Sequence, residues 1–260
     1  MPLKRITSRD NPGYQEMLAL ATDRRARRQA ARTLLDGPHL LAAALEAGMS
    51  VTLLLYAETA AEGPLSDWTR RLPQVPVWVL PDRLFATLSP VESPVGLLAL
   101  LEIPRPDVGD AACVVLLENI QDPGNLGALL RVSAAAGVDA VHLSKGCAEA
   151  WSPKCLRGGQ GAHFLLAIHE GVDLAGFART FPGTIHAASL AGSASLYELD
   201  LRGCMGFAFG NEGAGLSGEL CSAARPFRIP MPGRVESLNV ASAAAVCLFE
   251  RVRQAGVKAP

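Results

Sequence analysis

Apolar positions along this chain change period several times, and each change marks an element. Tyr14, Met17, Leu18 and Ala21 recur at i, i+3, i+4 and i+7, one apolar stripe on a helix. Gly37 and Pro38 break the chain, and the Ala/Leu-rich stretch 39–47 predicts a short helix stopped by Gly48. Residues 51–56 and 75–80 read as strands, with Pro64 and Pro73 between them. A short helix over 81–87 and a strand over 96–103 complete a first alternating unit. Residues 104–110 hold two prolines, one glycine and three charges, the composition of a linker.

A second alternation follows. Strands are expected at 114–118, 140–144, 164–168, 184–190, 206–209 and 227–229, with helices over 123–136 and 238–254. Apolar strands alternating with helices predict an α/β domain with a mostly parallel sheet covered on both faces. The expected organisation is a small α/β domain over 1–103, a linker over 104–110 and a larger α/β domain over 111–260.

Composition narrows the classes. The chain has 260 residues, 49% hydrophobic and 19% charged, which suits a globular protein with a sizeable core. The formal net charge is -1, so bulk charge does not announce a nucleic-acid binder. No apolar run reaches membrane length and no signal-type segment follows Met1, so a soluble, cytoplasmic protein is expected. The six cysteines form no C-x-x-C pair and no histidine sits beside them at ligand spacing, so reduced thiols and no metal are expected.

Three segments carry candidate chemistry. In the first, Asp122 suits a helix N-cap and Pro123 the first helical position. Asn125 falls in that first turn, and Arg131 lies one turn after Gly127 on the same face. In the second, Gly210, Gly213 and Gly215 surround Glu212 after an apolar strand, a loop whose backbone can approach a ligand. The third runs from Ile229 through Pro230, Met231, Pro232 and Gly233 to Ser237, Leu238 and Asn239, then into an Ala/Ser-rich helix. Free backbone N–H groups and two polar side chains meet at that helix start, a cradle built from backbone. Taken alone, the same segment also fits a tightly packed helix–sheet contact. The chain has neither G-x-G-x-x-G nor a Walker-type Gly-Lys-Ser/Thr, which argues against a conventional nucleotide-binding enzyme.

In order and type, these segments closely resemble the three signature motifs of the SpoU (TrmH) RNA methyltransferases of the SPOUT superfamily. The resembling residues are Asn119, Asp122, Pro123, Asn125, Gly127 and Arg131; then Gly210, Asn211, Glu212, Gly213 and Gly215; then Ile229, Pro230, Met231, Gly233, Ser237, Leu238, Asn239 and Val240. The resemblance continues through Cys155–Phe164. It extends more loosely to the first half, where Ile6–Pro12, Leu35–His39 and Ser93–Leu97 look like the family's substrate-binding domain, similar to a small ribosomal protein. It implies methyl transfer from S-adenosyl-L-methionine (AdoMet) to a ribose 2′-hydroxyl, in ribosomal RNA first and transfer RNA second. It also implies a deep trefoil knot in the second domain and a homodimer formed through it. Carried over position by position, Gly210, Ile229, Met231, Leu238 and Leu190 would contact AdoMet. Asn125, Arg131, Glu212, Ser237 and Asn239 would form the polar active site. A non-catalytic RNA-binding relative of the same fold is the alternative, and the joint presence of those polar residues argues against it. Pro232, and Gly158 with Gly159, depart from the family pattern at positions that shape the pocket or touch RNA.

RNA binding has separate support. Lys4, Arg5, Arg9, Arg24, Arg25, Arg27, Arg28 and Arg32 stand against Asp10, Glu16 and Asp23, a local basic surface in a neutral chain. Arg9, Arg24, Arg25, Arg28 and Arg157 are the candidate RNA contacts; a solvated helix face is the plainer reading of the same run. Charge reversal at Arg24, Arg25 and Arg28 should weaken RNA binding and make its log–log salt dependence shallower by about two, at somewhat under one per lost phosphate contact. AdoMet affinity should not move. Filter binding across a salt series measures this, and unchanged RNA affinity refutes the assignment.

Overall fold

The computed structural model describes residues 3–106, 109 and 111–256, and the chain divides into two compact units. Residues 107, 108 and 110 of the expected linker lie outside the described residues.

The first unit holds β1 (Leu3–Arg5), α1 (Pro12–Thr22), α2 (Arg24–Ala30), β2 (Arg32–Asp36), α3 (Pro38–Glu46), β3 (Val51–Ala57), α4 (Asp67–Arg71), β4 (Val77–Leu80), α5 (Asp82–Ala86) and β5 (Leu97–Glu102). Its sheet has five strands in the order β1-β4-β3-β5-β2, parallel from β1 to β3 and antiparallel at β5 and β2. Helix α1 starts where Asn11 caps it, its side-chain oxygen accepting from the N–H of Gly13 at 3.0 Å and of Tyr14 at 3.3 Å. Tyr14 and Met17 of the predicted stripe are buried, together with Leu20, against Leu34, Leu53, Leu55, Leu98 and Leu100, while Leu18 and Ala21 of the stripe are only partly buried against the same cluster. Of the arginines on α2, Arg27 is buried and donates to the Leu20 carbonyl at 2.6 Å, whereas Arg25 and Arg28 are exposed and Arg24 is half-buried.

The second unit begins with β6 (Cys113–Leu117), α6 (Pro123–Ala135) and β7 (Ala140–Leu143). The chain then returns to the first unit: Trp151–Phe164, containing α7 (Pro153–Gly159), groups with residues up to Arg105. Thr33 Oγ1 donates to the Trp151 carbonyl at 2.7 Å, and α7 packs against β2. Arg157 sits exposed on α7, and its charge partly offsets the burial that raises the Asp36 carboxyl.

The second unit resumes with β8 (Ala167–Glu170), α8 (Leu174–Thr180), β9 (Thr184–Ala188), β10 (Ala194–Ser195), β11 (Met205–Phe209), α9 (Gly218–Ala223), β12 (Arg225–Arg228) and α10 (Val240–Ala255). Its seven strands are all parallel and run β10-β12-β9-β11-β6-β7-β8. Strand β8 starts later than the apolar run predicts, because Phe164 closes a turn onto the Gly161 carbonyl at 3.1 Å and pairing with β7 begins at Ala167. Helix α10 starts at Val240 rather than 238, since Asn239 is its cap. Among the described residues no group of His, Cys, Asp or Glu is placed to hold a metal, and no helix is long and apolar enough to cross a membrane.

On β7 the buried His142 stacks on His169 with ring centroids 4.7 Å apart and meets Phe177 at 4.0 Å. Burial, assisted by the neighbouring His169, pushes the His142 imidazole down to about 4 from an ordinary 6.5. The native state therefore binds this proton more weakly than the unfolded chain, and unfolding takes up a proton between those values. Stability should be full above about pH 6.5 and fall as the pH drops towards 4. Denaturation at stepped pH should show that slope, and His142→Phe should flatten it; an equal slope in both proteins would exclude His142 as its source.

Candidate active site

The sheet changes direction between β6 and β11. From β6 the chain moves outward to β7 and β8, and from β11 its neighbours lie on the other side. Loops at the carboxyl ends of two such strands flank a crevice, where open α/β sheets place their sites. The two strands run in register from Met205 opposite Cys113 to Phe209 opposite Leu117, and Glu118 N–H donates to the Phe209 carbonyl at 2.9 Å.

Beyond β6 the chain turns at Asn119, whose φ of 56° is left-handed, a region that asparagine tolerates better than most residues. Ser144 Oγ accepts from the Asn119 N–H at 3.0 Å and donates to its Oδ1 at 3.3 Å. Gly146 lies opposite, and a Cβ there would stand 1.9 Å from that Oδ1, so a side chain at this position would displace the Asn119 amide. Asp122 then caps α6, accepting from the Asn125 N–H at 2.8 Å.

After β11, a Cβ on Gly210 would meet backbone atoms of Gly215 at 2.3 Å, so only glycine lets the loop close. Asn211 and Gly215 exchange backbone hydrogen bonds of 3.2 and 2.8 Å. Asn211 Oδ1 accepts from the N–H groups of Gly213 and Ala214 at 2.9 and 3.0 Å, leaving Glu212 exposed on the turn. The loop is tied back twice. Asn211 Nδ2 donates to the Asn119 carbonyl at 3.0 Å, and the Glu118 carboxylate accepts from the Ser217 N–H at 2.7 Å and hydroxyl at 2.8 Å.

The third segment arrives at the start of α10. Asn239 Oδ1 caps the helix, accepting from Ala241 and Ser242 at 2.9 and 3.4 Å, while its Nδ2 donates to Asn125 Oδ1 at 3.2 Å. Asn125 Nδ2 in turn donates to Glu212 Oε1. Two amides and one carboxylate thus join segments separated by 114 and 87 residues.

The structure brings Asn125, Glu212 and Asn239 into one hydrogen-bonded chain. Arg131 and Ser237 stay outside it: both are exposed, and among the described residues neither side chain has a hydrogen bond or ion pair. Gly210, Ile229 and Met231 are half-buried, and Leu238 and Leu190 are 38% and 68% exposed. Arg9, Arg24, Arg25, Arg28 and Arg157 belong to the first unit. Sequence reasoning assigned no role to Glu118, Asn211 or Ser217; Asn211 lay within a quoted motif, whereas Glu118 and Ser217 act through a pairing 99 residues apart that leaves no local signal.

These residues fit AdoMet in kind. Between Met231 and Leu238 no backbone N–H finds an acceptor among the described residues, and apolar Leu190, Val235 and Leu238 stand exposed in the same unit. Unspent backbone donors beside apolar side chains suit a flat ring with polar edges.

A parallel sheet with its crevice at the direction change is the architecture of open α/β proteins that bind ligands at strand carboxyl ends. Residues 112–249 match the SpoU rRNA methylase family, and residues 11–99 match the MRM3-like substrate binding domain. The chain belongs to the SpoU rRNA methylase family. It is 29% identical to the 23S rRNA (guanosine(2553)-2′-O)-methyltransferase RlmP of Bacillus subtilis, covering 95% of this chain and 98% of that protein. It is 30% identical to a 23S rRNA (uridine(2479)-2′-O)-methyltransferase of Streptomyces viridochromogenes, covering 96% and 92%. The solved structure of the SpoU methyltransferase AviRb from Streptomyces viridochromogenes, in complex with AdoMet, superposes with a TM-score of 0.84 at 27% identity, covering 94% of this chain and 98% of that one.

Asn239→Ala removes both a helix cap and the link to Asn125, and should cost about 1 kcal/mol of stability, the usual worth of such a cap. Asn239→Ser keeps a capping oxygen and should recover most of that loss. Urea denaturation tests both; an Ala variant as stable as the parent would show that the cap contributes nothing.

Proposed function

We propose that this protein transfers a methyl group from AdoMet to a ribose 2′-hydroxyl of RNA, ribosomal RNA in the first place. The observation that carries the reading is the Asn239–Asn125–Glu212 chain, which unites the three family motifs at the carboxyl ends of β6 and β11. Gly210, Ile229, Met231, Leu238 and Leu190 hold the cofactor, chiefly through backbone. When bound, AdoMet supplies an electrophilic methyl on a sulfonium. The chain's own residues position the 2′-oxygen for in-line displacement, and positioning of this kind accounts for much of the rate of such transfers.

Arg131 acts as a clamp. A guanidinium keeps its proton at neutral pH, so it serves poorly as a base there. Its planar fork suits the phosphate and the charge developing on the ribose oxygen. Glu212 and the two amides supply the polar groups of the site, and Ser237 contributes a hydroxyl.

The wider reading follows the same family. The first unit, ribosomal-protein-like, is the RNA-binding domain, with Arg9, Arg24, Arg25, Arg28 and Arg157 on phosphates. The second unit ties its carboxyl-terminal chain into a trefoil knot, as the family resemblance implies. Two copies pair through that unit in the cytoplasm, and exposed Tyr197, Val235 and Phe249 support an apolar interface.

Labelled methyl transfer to ribosomal and transfer RNA fractions, followed by mapping of alkali-resistant 2′-O-methyl sites, tests the reaction; no transfer to any unmodified RNA sinks it. Arg131→Lys should lower kcat/KM roughly a hundredfold, as loss of a transition-state donor does. The clamp also predicts a pH–rate profile without a titrating base between about pH 6 and 9, since the guanidinium stays charged throughout. An ionisation present in the parent and lost in Arg131→Lys would overturn it.

A further inference from the structure

Adjacent residues at the end of β6 grip opposite ends of the loop that carries Glu212. The Asn119 carbonyl takes the Asn211 amide at 3.0 Å, and the Glu118 carboxylate takes Ser217 by its N–H and hydroxyl at 2.7 and 2.8 Å. Between those anchors the loop is closed on itself by the Asn211–Gly215 bridge. The chain leaving Asn119 also carries Asn125, the donor to Glu212. Donor and acceptor of the central contact are therefore referenced to the same pair of residues.

We propose that Glu118 is a positioning residue for the reaction: it holds Glu212 in place from the far end of the loop, without touching the reacting atoms. The inference rests on the methyl-transfer reading above. The chemistry of the contact suits the role. An ionised carboxylate takes shorter, stronger hydrogen bonds than a neutral acceptor. Ser217 is also the N-cap of α9, its Oγ accepting from the Leu220 N–H at 3.2 Å. By accepting the hydroxyl's hydrogen bond, Glu118 turns a Ser217 lone pair towards that helix, so one carboxylate orients both the loop end and the cap. A plain structural support would need only the cap. A positioning role needs the link from Ser217 through the closed loop to Glu212.

The test uses the full-length protein with Glu118→Ala and Glu118→Gln. Its readouts are kcat and KM for RNA at saturating AdoMet, the thermal midpoint, and amide hydrogen exchange over residues 211–217. Glu118→Ala should lower kcat about tenfold or more while KM for RNA stays within about twofold, the pattern of a lost transition-state arrangement. Exchange at Gly213, Ala214 and Gly215 should quicken. Glu118→Gln keeps a carbonyl acceptor for the Ser217 N–H and should recover most of the lost rate. An unchanged kcat in Glu118→Ala overturns the proposal, and so does a loss of activity that merely follows the folded fraction. If the parent protein methylates no RNA, the methyl-transfer reading fails by itself. The exchange measurement still decides the grip, because unchanged exchange in Glu118→Ala refutes it.

Discussion

The parallel pairing of β6 with β11 is the constraint on which the site depends. Hydrogen bonds between parallel strands fix register along their whole length, so the residues following Leu117 and Phe209 emerge side by side. Every later contact uses that adjacency. The Glu118 and Asn119 ties to the Gly210–Ser217 loop are possible only because the two strand ends are held level. Gly206, in the middle of β11, shows how tight this pairing is: a Cβ there would meet Val114 and Ile185 side chains at 2.5 and 2.8 Å. The sheet core of Val114, Leu116, Ile185, Ala187 and Ala208 therefore does more than exclude water, since it sets the spacing of the loops above it.

What those loops assemble is mostly neutral. Two asparagine amides and many backbone groups do the joining, and a single carboxylate ends the chain. Amides carry donor and acceptor in one side chain, so each can pass a geometric instruction onward: Asn239 caps α10 with its oxygen and reaches Asn125 with its nitrogen. Neither amide titrates, so the link between Asn239 and Asn125 carries no change of charge.

Much of this was legible in the sequence where the signal is local. An N-cap, a proline in the first turn and a glycine-rich strand exit announce themselves within a few residues, and Asp122, Asn125, Gly210, Glu212 and Asn239 all stand at such places. The alternation of strands and helices likewise revealed the parallel sheet, because buried strands are apolar along their length. What stayed hidden depends on distant pairing. Strand β10 is only Ala194–Ser195, too short to impose any period. Glu118 reads as an ordinary residue at a strand end until its partner 99 residues away is known. The basic run on α2 looked uniform, yet the fold buries Arg27 against its own backbone and leaves only part of the run facing solvent. Periodicity could not show that Trp151–Phe164 joins the first unit, since that choice is made by the Thr33 hydrogen bond and the packing of α7 on β2.

That last feature bears on how such proteins exchange parts. The first unit is not one continuous stretch: the peptide chain passes between the units after Arg105, after Ala150 and after Phe164. A fragment ending at the proline-rich stretch would lack α7 and strip the cover from β2, however natural that cut looks in the sequence. Grafting the substrate-recognition unit of one relative onto the catalytic unit of another would require two coordinated segments to be moved together. A single crossover placed before Trp151 would therefore part α7 from the strand it packs on.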